Sequence, residues 1–146
     1  FGTWVVTPDR DLLLIDVIRI RLEGPDQPKI FEQGFHRWNP KLQGVEVKGI
    51  GLTLFQTLKR KGLPVKELKA DTDKETRALP IMARMEAGTV YFKKNAPWLG
   101  DYENELLMFP NGAHDDQVDI TSYAGIVVAT AGRPAARAMG KKPRGW

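Results

Sequence analysis

Apolar and polar positions along the chain follow two different spacings. From Leu12 to Leu22 they alternate. Leu12, Leu14, Ile18 and Ile20 share one face with Asp16, and Leu13, Ile15 and Val17 share the other with Arg19 and Arg21. This predicts a strand. A second strand over Phe1–Val6 precedes it, joined around the turn-forming Thr7-Pro8-Asp9-Arg10. After the loop Glu23-Gly24-Pro25-Asp26 the period lengthens. Phe31, Phe35 and Trp38 lie at helical spacing behind Pro28, which suits a first helical turn, while Gly34 and Pro40 limit the helix.

Gln43–Val47 reads as a short strand in which Val45 and Val47 oppose Glu46. Gly49-Ile50-Gly51 leads into a helix with Leu54, Phe55 and Leu58 as its stripe and Gly62 as its stop. Val65–Leu68 is a further strand. Asp71-Thr72-Asp73 offers caps for a helix running towards Gly88, which Pro80 is expected to kink or divide. Thr89–Phe92 is strand-like, Trp98–Phe109 helical up to Pro110, and a last helix runs from about Asp115 to Ala129. A hairpin followed by alternating strands and helices indicates an α/β sheet, antiparallel at one side and parallel elsewhere.

Composition narrows the chemistry. With no cysteine, a metal must be held by carboxylates, the two histidines or water, which favours hard cations such as magnesium or manganese. No apolar run is long enough to span a bilayer. The net charge of +4 is mainly a property of the tail: Arg133, Arg137, Lys141, Lys142 and Arg144 follow the last acid, Asp119. The rest is nearly neutral, so attraction of phosphate by the folded body must come from local patches. Residues 1–131 are expected to form one domain and 132–146 a basic, flexible tail.

The densest polar cluster is His114-Asp115-Asp116-Gln117-Val118-Asp119. A helix starting at Asp115 crowds all three aspartates into its first turn. One or two suit the helix dipole, but three repel one another unless a cation relieves them. The helix that follows is almost wholly apolar (Ile120, Tyr123, Ala124, Ile126, Val127, Val128), which predicts burial and places the acids at a cleft edge. Glu46, on a strand bounded by glycines, stands where ligands gather in open α/β sheets, and facing Asp115 it would complete an oxygen cage. Such a cage suits two-metal phosphodiester hydrolysis.

Phe109-Pro110-Asn111-Gly112-Ala113-His114-Asp115-Asp116-Gln117-Val118-Asp119 resembles the closing motif of phage large terminase nuclease domains. Upstream, Val45-Glu46 with its glycine-led helix is similar to the family's middle acidic motif, and Asp73-Lys74-Glu75-Thr76-Arg77-Ala78 to its Lys-x-x-Arg segment. Glu86–Phe92 and Pro97 through Glu105 continue the pattern. The resemblance implies a ribonuclease H-like mixed sheet flanked by helices, and an endonuclease with two magnesium or manganese ions that cuts double-stranded viral DNA during packaging in the host cytoplasm. It implies Glu46 as middle ligand, Asp115 or Asp116 as the final one, Asp119 as helper or second ligand, and His114 beside the site. The terminase ATPase domain, the small subunit and the portal are the implied partners. The family's first catalytic aspartate and its strand are expected upstream of Phe1. No phosphate loop of the motor type occurs.

Lys74 and Arg77, with Lys93 and Lys94 in a later loop, are the candidate DNA-phosphate contacts; pairing of Lys74 and Arg77 with Asp71, Asp73 or Glu75 is the plainer alternative. Asp16 reads as structural, paired with a nearby base. Two other functions are weighed: another ribonuclease H-like nuclease such as a junction resolvase, and a non-catalytic DNA-binding or docking module.

Overall fold

The computed structural model describes residues 1–131. The tail read above as basic and flexible lies outside the described residues. Strand β1 (Gly2–Val6) pairs antiparallel with β2 (Leu12–Val17). The turn between them is closed by Thr7, whose hydroxyl accepts from the Asp11 amide at 3.0 Å. Arg10 takes the left-handed conformation there, with φ of 71°. The alternation predicted for β2 holds: Leu12 and Leu14 are fully buried. The strand is shorter than expected, ending at Val17 and not at Leu22. The last registered pair is Gly2 with Val17, Phe1 and Ile18 exchange two further backbone hydrogen bonds, and Ile18 and Ile20 are exposed.

Helix α1 (Gln27–Trp38) follows a single 3-10 turn, then β3 (Gln43–Glu46), α2 (Gly51–Arg60) and β4 (Val65–Leu68). Helix α3 (Lys74–Glu86), β5 (Val90–Phe92), α4 (Leu99–Met108) and α5 (Asp116–Thr130) complete the order. The mixed character of the sheet is as predicted, since β5 joins β2 in parallel and β3 pairs with β4 in parallel. It is divided, however: β1-β2-β5 form one sheet and β3-β4 another, so among the described residues β1 and β3 each pair on one side only. None of the described helices is long and apolar enough to cross a membrane.

Each sheet has its own apolar cluster. Phe31, Val45 and Leu58 join α1, β3 and α2, with Leu54 and Phe55 against them. Leu12, Ile81 and Val128 join β2, α3 and α5, with Trp4 and Val90 alongside. Asp73 caps α3 by accepting from the Thr76 amide at 2.8 Å. Pro80 does not divide α3, one of the two outcomes expected of it. The carbonyl it deprives of a partner belongs to Thr76, which is exposed and open to water.

The most extensive helix contact is α3 on α5, and it turns on one glycine. A Cβ at Gly125 would lie 2.9–3.1 Å from the Cβ, N and Cα atoms of Ile81. Two of those three atoms are backbone, so the helices must separate to admit a methyl group. Gly125→Ala is therefore expected to lower stability by about 1–3 kcal/mol, despite the gain in helix propensity. Urea denaturation checks this, and an unchanged midpoint would show that the two helices have room to spare.

Candidate functional site

Glu46 is the last residue of β3 and is half-buried. The chain folds back at once into α2, and the turn is tight: a Cβ at Gly51 would collide with the carbonyl oxygen of Glu46. Only glycine fits that approach. The acids of the closing motif sit where expected, with Asp115 as the N-cap of α5 and Asp116 and Asp119 in its first turn.

Two cations from the start of α3 meet these acids. Lys74 Nζ lies 2.5 Å from Asp115 Oδ2 and 3.2 Å from Asp119 Oδ2. Arg77 Nη2 donates to Asp119 Oδ1 at 2.7 Å, and Nη1 donates to the Thr72 carbonyl at 2.7 Å. Arg77 is buried, with 6% of its surface exposed. Burial opposes its charge, but the bond to Asp119 and the negative charges of Asp119 and Glu46 outweigh that, and its pKa rises. The Lys74 ammonium is likewise held charged, first by its bond to Asp115. The partner of Lys74 and Arg77 is thus the start of α5. It is not Asp71, Asp73 or Glu75.

Glu46 and Asp119 line one cavity of about 310 Å³, together with Lys48, Thr72, Lys74 and Arg77. Asp115 joins this group through Lys74. Asp116 is exposed and does not line this cavity. His114 lines a second cleft with Arg19, Asn104 and Glu105. Lys93 and Lys94 are exposed in the loop after β5 and do not line the first cavity. Asp16 pairs with Arg37 at 3.5 Å.

The donor chemistry at the cavity suits a hard divalent cation, since its acids offer only carboxylate oxygen. The arrangement is incomplete for one. Among the described residues no group of three or more acids or histidines stands close enough to hold a metal ion, and both oxygens of Asp119 already face a cation.

Sequence reasoning passed over Glu105. This buried carboxylate of α4 accepts from the Gln117 amide at 2.5 Å and from Gln117 Nε2 at 2.7 Å. Asp115 makes no side-chain cap bond, so Glu105 caps α5 from outside the helix. The signal available was a lone acid among the apolar positions of α4. Glu105→Ala strips both Gln117 donors of their acceptor and is expected to cost about 1–3 kcal/mol in chemical denaturation. A cost below ~0.5 kcal/mol, the size of an ordinary surface change, would mean that the cap is dispensable.

No curated protein and no solved structure matches the chain. A sequence family described as the terminase RNaseH-like domain does match, over residues 10–126. That span includes β2, both parallel strands of the second sheet, and every acid lining or bordering the cavity. On this match the chain belongs to the family of terminase RNaseH-like domains.

Proposed function

We propose that this domain is a metal-dependent endonuclease that cleaves double-stranded viral DNA during genome packaging. The observation that carries the reading is that Glu46, from the end of one strand, and Asp119, from the start of a buried helix, line one open cavity, with Asp115 linked to it through Lys74. Lys48, Lys74 and Arg77 line the same space, so the cavity presents acids and bases side by side. A phosphodiester needs both: carboxylates that hold a divalent ion, and cations that hold the phosphate. Nothing in the arrangement resembles a base-reading helix, so binding should be led by the DNA backbone.

In this reading Glu46 and Asp119, with Asp115 or Asp116, would hold magnesium or manganese, and an ion so held would supply an activated water and charge to offset the leaving oxygen. The chain's own cations orient the duplex, and Lys74 exchanges its carboxylate partners for a phosphate oxygen. We further propose that a strand ahead of Phe1 pairs with the open edges of β1 and β3 and brings another acid to the site. The one-sided pairing of β1 and β3 among the described residues leaves an edge of each free for it. The motor's ATPase domain, the small subunit and the portal are the partners this role calls for.

The test is plasmid cleavage with manganese, using this chain and a form extended by the residues its gene encodes ahead of Phe1. The extended form is expected to cut, and Glu46→Gln is expected to slow cutting by at least about a hundredfold, more than loss of an outer-shell partner costs. Metal-independent DNA binding without cleavage in either form would favour a docking module. Preference for four-way junctions would favour a resolvase.

A further inference from the structure

Three cations line the cavity, and the fold commits them differently. Arg77 is buried, and its two terminal nitrogens are engaged inside the protein. Nη2 donates to Asp119 and Nη1 to the Thr72 carbonyl, each at 2.7 Å. Its third nitrogen, Nε, is closed off from solvent. The guanidinium also lies over the Tyr123 ring, 5.4 Å from the centroid, a placement that suits a planar cation better than an ammonium. Lys74 is exposed but already meets Asp115 and Asp119. Lys48 is exposed and makes no ion pair among the described residues.

The backbone nonetheless fixes where Lys48 stands. The Val47 amide donates to the Leu68 carbonyl at 3.1 Å, so the pairing of β3 with β4 continues one residue past Glu46. Alternation along this extended stretch sets Glu46 and Lys48 on the same side, and both line the cavity. The turn that follows is anchored. The Gly51 amide donates to the Lys48 carbonyl at 3.1 Å, and Gly49 takes a left-handed φ of 59°. Lys48 can therefore meet a phosphate beside Glu46 without breaking an ion pair. Arg77 cannot, because turning it outward would leave Asp119 short of its partner in a half-closed site.

We propose that Lys48 holds a backbone phosphate of the DNA duplex at this cavity, and that Arg77 touches no DNA but is a positioning residue for Asp119. The chemistry of the two cations matches the division. An ammonium on a flexible stem takes a phosphate oxygen from any direction, which suits contact with a backbone of any sequence. A guanidinium fork fixes two partners at once, which suits the orientation of a carboxylate. The catalytic meaning of the proposal rests on the nuclease reading, whereas the assignment of the phosphate contact is decided by DNA binding alone.

Duplex binding to this chain, followed by fluorescence anisotropy over a series of salt concentrations with EDTA present, tests the first half. Each phosphate contact contributes ~0.9 to the slope of log affinity against log salt. Lys48→Gln is expected to weaken binding and lower that slope by ~0.9, and Arg77→Gln to leave the slope as in the parent. An unchanged slope for Lys48→Gln, or a parent that binds no duplex, overturns the phosphate contact. A lowered slope for a folded Arg77→Gln makes Arg77 a DNA contact and overturns its internal role. Arg77→Lys keeps the charge and decides the second half even where Arg77→Gln does not fold, since a lysine lacks the fork that reaches both partners. In the form extended ahead of Phe1 it is expected to lower kcat about tenfold with KM for DNA unchanged. Equal kcat, a rise in KM alone, or a loss of activity matched by loss of folded protein overturns the positioning role. A chain that shows the expected slopes but never cuts DNA upholds the phosphate contact and refutes the nuclease reading, and the positioning role with it.

Discussion

A guanidinium buried beside the acids of the cleft sets the terms for this domain. Taking such a charge out of water costs several kcal/mol unless the surroundings replace its hydration. Asp119 and the Thr72 carbonyl do so for Arg77, each at 2.7 Å. Those partners come from α5 and from the loop before α3, so the pair forms only if the two helices lie close. Gly125 permits that approach where α5 crosses Ile81. Apolar packing and site geometry are therefore one constraint: what draws the helices together also decides how far Asp119 stands from its cation.

The start of α5 carries three carboxylates in about one turn, an arrangement that the helix dipole favours and mutual repulsion opposes. The repulsion is met in three different ways. Asp115 and Asp119 share Lys74, Asp119 also takes Arg77, and Asp116 faces solvent. Helix starts often bind phosphate through their free amides. Here Glu105 occupies the Gln117 amide, which takes that donor out of reach of a phosphate.

Periodicity made the elements readable. β4 spans the four residues predicted, and α5 starts within one residue of its expected place, because each pattern reflects which side of an element faces inward. The acids were readable too, since three aspartates ahead of an apolar helix are unusual. What meets them was not. Arg77 and Asp119 lie 42 residues apart, and no local spacing links them. The division into two sheets was hidden for a similar reason: a strand's pattern shows its buried face but not whether both its edges find partners. Pro80 erred in the opposite direction: a local rule forecast a kink or a division, and the helix is not divided.

The pairing of Lys74 and Arg77 with the aspartates also bears on the order in which the molecule is made ready. In small metal-stabilised domains the ion is part of the fold, and the chain stays unfolded until it binds. This domain supplies its own positive charge from α3, so Asp115 and Asp119 are paired as soon as the two helices meet. Neutralisation of these two acids is thus built into the helix packing and, on the proposed reading, would precede any loading of the cleft with an ion.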